Sequence, residues 1–567
     1  MTRKTRILVV LSLLLLNAAD LFSCTNIIVT RGASSSGSVM ISYAADSHIR
    51  YGALAFYPAG DHPAGSWTEV YHYESGRHMG RIPEVPHTFS VVGSMNEHQV
   101  AIGETTFGGR DSLSFQPDAF LDYGSLMKIG LQRSKTAREM IRVITSLVEE
   151  YGYASAGESF SISDANEAWI MEIIGKGRYE KGAVWVALRI PDGCISGHAN
   201  QSRITTFRFQ RSNHWEDPGQ DCFHSPDVIR FARERGYFSG QDESFSFSDA
   251  YNPVGFDGSR FCDARIWSVF RKVSKEVREN DGYTKYAMGN IHREGGVVSN
   301  RIPLWIRPDE KITVEQMFAF LRDHFEDTPL SFNNGVGAGP FALPYRWRPM
   351  EFTVDSVLYF NERSIATQQT GYSFVAQSRN TFPDKIGGIF WFGVDDADGC
   401  VYVPMYCGIR KVPESYAVGN GSMIRWSETS AFWTFNLVTN WAYTRYNLIH
   451  PEIEAYQKEL ETGIMAVSAG IDSEARGLYD ADPDQAVQLL TNFSVNTGNK
   501  VVADWKQFFH YLFMKYMDGN VKQTEGHRLL ENGYGREVPK KPSQPGYGAE
   551  WERKMIEHTG DRYKVIH

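Results

Sequence analysis

Cysteine is scarce. Six occur in 567 residues, at positions 24, 194, 222, 262, 400 and 407, and no two form a C-x-x-C pair. That excludes a disulfide scaffold. Sixteen histidines are present, but no H-E-x-x-H helix and no Cys/His spacing of zinc type accompanies them. No metal or organic cofactor is expected. His48, His72, His78, His87 and His98 are scattered through strand and loop segments and read as surface or satisfied side chains. The P-loop and the G-x-S-x-G elbow are also missing. Gly335-Val336-Gly337-Ala338-Gly339 has the wrong spacing for a dinucleotide fingerprint, and Pro340 stands where a helix should begin; it reads as a loop. Basic excess is absent too. With 58 Lys+Arg against 67 Asp+Glu the formal charge is -9, which argues against a nucleic-acid partner. After residue 23 no run is long and apolar enough to cross a bilayer. What is present, 42% hydrophobic and 13% aromatic residues, suits a globular chain with a large core.

The amino terminus reads as a secretory signal. Arg3, Lys4 and Arg6 form a basic start, and Ile7 to Leu16 is apolar except for Ser12. Ten residues are too few to span a hydrocarbon core of about 30 Å. Residues 1–23 carry three basic side chains and one acidic one, so their removal leaves 544 residues at a formal charge of -11. The product would be secreted or periplasmic. Leu21-Phe22-Ser23-Cys24 also resembles a lipoprotein box, with Phe22 a poor fit. A lipid-anchored protein, with Cys24 as its acylation site, is the alternative. Both cuts make Cys24 the first mature residue, and they give it incompatible roles.

Downstream, Thr25–Thr30 and Ser38–Ser42 read as a hairpin around a Gly/Ser-rich turn. Strand signals recur at 54–57, 89–94, 100–106, 159–163, 169–173 and 184–188. Two helices are expected at 121–131 and 137–151. The second has an apolar stripe at 137, 140, 141, 144, 147, 148 and 151, ended by Gly152. Helical patterns dominate again from Phe432 to Tyr516, and the polar tail after Gly519 is expected to be loosely ordered. The pattern is α+β, with helices on the outer face of sheets. The division expected is a signal at 1–23, a main domain at 24–430, a helical extension at 431–519 and a tail at 520–567.

An amino-terminal cysteine holds both halves of a nucleophilic catalyst. The thiol attacks, and its own α-amine, of ordinary pKa about 7.7–8.0, is a base suited to neutral pH. Such an enzyme is inert until everything before the cysteine is removed, because an amide nitrogen is no base.

Cys-Thr-Asn-Ile-Ile-Val at 24–29, Gly37-Ser38-Val39-Met40-Ile41 and Ala45-Asp46-Ser47 resemble the start of the secreted dipeptidase A family. These are N-terminal-nucleophile cysteine peptidases related to penicillin V acylase and bile-salt hydrolase. The likeness continues through Met95-Asn96-Glu97, Gly103-Glu104-Thr105-Thr106, Ala168-Trp169-Ile170-Met171-Glu172 and Ala199-Asn200-Gln201-Ser202-Arg203-Ile204. It extends to Leu321-Arg322-Asp323-His324-Phe325-Glu326, Val336 to Pro340, and Trp391 to Ala397. Together these pieces cover about 24–450.

The resemblance implies a four-layer αββα sandwich with a helical extension. It implies that Cys24 is the nucleophile, that Asp46 orients its amine and that Asn200 is an oxyanion donor. Thr106 aligns with a second oxyanion residue and would act through its backbone N–H. Arg260 resembles a distal active-site arginine, with Arg265 as a competing alignment. Where relatives often have Arg, this chain has Tyr43, which would donate a hydrogen bond instead. Glu172, Asp323 and His324 carry no mechanism and read as structural. The function implied is hydrolysis of short peptides, dipeptides first, with no nucleic-acid partner and no stable membrane insertion after processing. An amidase acting on N-acyl amino acids is the rival on the same fold, and self-association is left open.

Overall fold

The structure is a computed structural model and describes residues 24–566, so the signal segment expected at 1–23 lies outside the described residues. The principal strands are β1 (Thr25–Val29), β2 (Val39–Asp46), β3 (Ala101–Gly108), β4 (Gly157–Ser163), β5 (Ala168–Gly175), β6 (Ala183–Arg189), β7 (Ile195–His198), β8 (Thr370–Ser378), β9 (Ile389–Val394) and β10 (Val403–Tyr406). The principal helices are α1 (Tyr123–Arg133), α2 (Ala137–Tyr151), α3 (Ala264–Val273), α4 (Ala431–Tyr443), α5 (Tyr446–Tyr479) and α6 (Pro483–Tyr516).

Two large sheets form among the described residues. One runs β7-β1-β2-β8-β9-β10, with Trp305–Ile306 outside β7. The other runs β6-β5-β4-β3 and continues through short strands at Met95–Asn96, Val91–Val92 and Phe56–Tyr57. Neighbours are antiparallel throughout: Thr25 faces Ala44 and Val29 faces Met40, while Asn26 faces His198 on the other side. The sheets stack where β1 and β2 meet β3 and β4.

Alternation along β5 shows how the layers are fed. Ile170 and Ile174 join the cluster between the sheets; Trp169, Met171 and Ile173 join the cluster under α1 and α2. The latter also takes Met140, Ile141 and Ile144, three residues of the predicted α2 stripe. Thr136 caps α2 by accepting from the Glu139 N–H, and Gly152 ends it at φ 80°.

The first sheet is covered by the carboxy-terminal helices. Ser494 of α6 is hydrogen-bonded to the Tyr406 backbone of β10. The turn after β9 is held by three acids. Asp395 accepts from Asn436 and Thr439, Asp396 from Tyr443, and Asp398 from Tyr446, with His450 paired to it at 2.7 Å. All five of these partners lie on α4 or α5, so the helical segment shares its core with the sheets.

Two differences from the sequence reading stand out. The sequence marks no strand at 330–410, a stretch rich in Gly, Pro and aromatics, yet this stretch contains β8, β9 and β10 of the first sheet. β9 and β10 are buried along their whole length and β8 nearly so, and strands covered on both faces show no alternation to read. The tail is not without structure: Thr524–Glu525 pairs with Arg528–Leu529, and Ala549–Thr559 is a helix with no buried residue. Among the described residues no helix is long and apolar enough to cross a membrane.

Candidate active site

Cys24 immediately precedes β1, and its side chain is 5% exposed. The thiol lies 3.5 Å from the Tyr43 hydroxyl and 3.8 Å from Glu104 Oε1. Tyr43 donates to the same Glu104 oxygen at 2.5 Å. A hydrogen bond from the Asp46 backbone also reaches the sulfur. Burial, then the charges of Glu104 and Asp46, push the thiol well above its ordinary pKa; the Tyr43 and Asp46 hydrogen bonds act the other way. With its nitrogen in an amide bond to Ser23, this cysteine is a weak nucleophile.

Asp46 ends β2 and is fully buried. Arg363 donates to one of its oxygens at 2.5 Å and Thr370 to the other at 2.6 Å. Burial nevertheless raises the carboxyl to about 6, against the opposing pull of Arg363.

Asn200 follows β7 at φ 63°, a left-handed position that Asn tolerates better than most residues. Its Nδ2 donates to the Thr106 carbonyl at 2.7 Å. The loop behind it is held by Glu172, which accepts from the Ser202 hydroxyl and from the Arg203 and Ile204 N–H groups. Glu172 is thus structural here. The Thr106 hydroxyl donates to Glu158 at 2.7 Å, which occupies that side chain.

The two arginine alignments separate in space. Arg260 pairs with Glu362 and lies over the Phe360 ring; among the described residues no hydrogen bond joins it to Cys24, Asp46 or Asn200. Arg265, on α3, donates to the Cys24 carbonyl at 2.7 Å, to Thr25 Oγ1 at 2.6 Å and to Asn200 Oδ1 at 2.9 Å. Burial and the like charge of Arg363 lower it to about 9, so it stays cationic at neutral pH. It braces nucleophile and Asn200 against one another. The structure therefore gathers Cys24, Tyr43, Asp46, Asn200 and Arg265, and leaves Arg260 outside that set.

Sequence reasoning assigned no role to Glu104 or Arg363. Glu104 stood in a quoted motif, and a carboxylate inside a strand facing a buried layer was the available signal. Arg363 had none, being 317 residues from the aspartate it pairs with. Gly103 fixes the approach of the sheets: a Cβ there would sit 2.1 Å from Asn26 Oδ1, whose amide donates to the Glu104 carbonyl. Among the described residues no cluster of three or more His, Cys, Asp or Glu side chains is arranged to hold a metal ion.

The profile described as "Peptidase family C69" matches residues 56–459. That span contains Glu104, Thr106, Asn200, Arg260 and Arg265; Cys24, Tyr43 and Asp46 precede it. Among curated proteins, the chain is 23% identical to a "Probable dipeptidase" of Latilactobacillus sakei, over 80% of this chain and 89% of that one. It is 22% identical to a "Probable dipeptidase" of Salmonella dublin, over 70% and 83%. It is 23% identical to a "Probable dipeptidase A" of Streptococcus pyogenes serotype M1, over 83% and 93%.

Proposed function

Because the chain belongs to peptidase family C69 and is a cysteine-type peptidase, we propose that it hydrolyses dipeptides with Cys24 as an amino-terminal nucleophile, after residues 1–23 are removed on export. The observation that carries this is the setting of the thiol. It stands at the head of β1, touched by Tyr43 and Glu104, with Asp46 close enough to hydrogen-bond the sulfur through its backbone and Arg265 tying the Cys24 carbonyl to Asn200. Two stacked sheets with helices packed on their outer faces support the αββα reading of the fold.

Cleavage before Cys24 replaces an amide with an amine. When protonated, that amine puts a cation beside the thiol, offsetting the acids that hold its proton. When neutral, it takes the Sγ proton. The thiolate then attacks the peptide carbonyl, a C–S bond forms, and the Asn200 side chain stabilises the oxyanion. As the C–N bond breaks, the ammonium returns its proton to the leaving amine. Water, deprotonated by the same α-amine, attacks the thioester, and the C–S bond breaks to regenerate the thiol. Asp46, itself held by Arg363 and Thr370, orients the amine.

Mass spectrometry of the exported protein is expected to give a mature chain beginning at unmodified Cys24; a lipid adduct there would sink the proposal. Cys24→Ala is expected to lower dipeptide hydrolysis at least about a thousand-fold while the protein stays folded. Full activity in that variant rules the mechanism out.

A further inference from the structure

Among the described residues two buried carboxyl groups, Glu104 beside the thiol and Glu158 next to Glu104, form no ion pair of their own. Glu104 is 3% exposed and Glu158 1%. Glu104 Oε1 accepts from Tyr43 and faces the Cys24 sulfur, Glu158 Oε1 accepts from Thr106, and the two carboxyl groups hydrogen-bond each other, which requires a proton between them. A carboxylate has about four acceptor sites, so much of this capacity is unused. The cation in their neighbourhood is Arg50, and it is ion-paired to Glu74 at 2.5 Å and stacked on Tyr73. Three acids, Glu74, Glu104 and Glu158, thus share one arginine in a buried space. An isolated buried charge is expensive, so this pair requires a proton or a cation. Burial raises both groups, Glu104 to about 7, and on its own the pair retains a proton.

The position of Glu104 identifies the cation. In a dipeptide the α-nitrogen of the first residue is two bonds from the scissile carbonyl carbon, about 2.5 Å away. A thiolate poised for attack lies about 3–3.5 Å from that carbon. A carboxylate oxygen 3.8 Å from the sulfur is therefore within one charge-assisted hydrogen bond of that nitrogen. A cavity of about 340 Å³, lined in part by Arg50, Tyr57, Tyr73, Met127, Tyr372 and Phe390, adjoins this group through Arg50 and Tyr372. Its wall residue Tyr372 packs edge-on against Tyr43, with ring centres 5.9 Å apart.

We propose that Glu104, backed by Glu158, seats the free α-ammonium group of the substrate's first residue and so confines the enzyme to peptides with an unblocked amino terminus. The proposal rests on the assignment of Cys24 as nucleophile. It also gives the two acids a second effect. The substrate's ammonium neutralises the charge that holds the thiol protonated, so a correct substrate helps to activate the nucleophile. The proton shared by the pair leaves as the ammonium arrives.

The test compares a dipeptide such as Ala-Ala with its N-acetyl derivative, on the processed wild type and on Glu104→Gln. The amide keeps the size and an acceptor oxygen but not the charge. The wild type is expected to prefer the free amine by roughly ten- to hundred-fold in kcat/KM, the range of one hydrogen bond to a charged group. In Glu104→Gln that preference should fall to within about threefold, chiefly through loss on the free-amine substrate. Equal loss on both substrates would mean that Glu104 only positions Tyr43 and the thiol, and would overturn the proposal. So would a wild type that cleaves both equally. If Glu104→Gln does not fold, Glu158→Gln is read in the same way. Calorimetric binding of alanine and N-acetylalanine to Cys24→Ala separates the two levels of argument. Preference for free alanine without any wild-type hydrolysis would remove the Cys24 mechanism and keep the ammonium seat; no preference removes the seat.

Discussion

At the scale of single residues, the site is a set of mutual constraints on one thiol. Glu104 and Asp46 make ionisation of Cys24 harder, Tyr43 makes it easier, and Arg265 fixes the peptide on which it sits. Arginine is required at 265 because four carbonyl or side-chain oxygens, besides the Phe261 carbonyl of the turn before α3, converge on its guanidinium. Lysine offers three donors from one point and cannot reach Cys24 and Asn200 together. Arg265→Lys is therefore expected to lower kcat by more than tenfold, and Arg260→Lys by less than threefold, in steady-state assays of the two purified variants. The reverse order would restore the Arg260 alignment. The candidacy of Cys24 was legible from its place after a segment that reads as an export signal. The choice between Arg260 and Arg265 was not, because five residues of sequence separation hold no information on which guanidinium turns inward.

At the scale of elements, periodicity decided what could be read. The α2 stripe repeats at helical spacing with a Thr cap and a Gly stop, and the helix spans Ala137–Tyr151 as expected. Strands β8 to β10 lie among aromatics and glycines with both faces covered, and no period marked them. Their neighbour β3 shows what sheet contact demands. Gly103→Ala forces a Cβ to 2.1 Å from Asn26 Oδ1 and disturbs the amide that serves the Glu104 carbonyl. It is expected to cost about 1–3 kcal/mol, seen as a fall of several degrees in Tm, and to depress activity as Glu104 shifts. An unchanged Tm and unchanged kcat would show that the two sheets tolerate separation there.

Across the whole molecule, the sheets and the carboxy-terminal helices are joined through a buried ionic cluster. Burial alone would lower His324, but Asp398, Glu326 and Asp396 carry it to about 9. Its folded pKa thus lies above the ordinary histidine value of about 6.5. The stability it contributes is fully present below pH 6.5 and is lost as pH rises through about 9. Wild type should melt above His324→Gln at pH 6, with the gap closing by pH 9.5, in parallel thermal scans. A gap that stays constant with pH would deny His324 that charge. His450 is raised as well and Asp398 lowered, each against the effect of burial and chiefly through the other's opposite charge. The motif around His324 was visible in the sequence without a purpose, since the acids that raise it include Asp396 and Asp398, more than seventy residues on.

The same long-range pairing gives the chain a timetable. A ribosome delivers Cys24 first, yet Arg265 follows 241 residues later, and Asp46 waits for Arg363 and Thr370. If residues 1–23 are removed as proposed, early removal exposes a thiol that has no held aspartate and no braced Asn200. On the proposed mechanism the site is complete only when about two-thirds of the polypeptide has emerged and closed around its own beginning. On that mechanism a chain terminated before residue 370 lacks a complete site, and leader removal after folding is the last activation step.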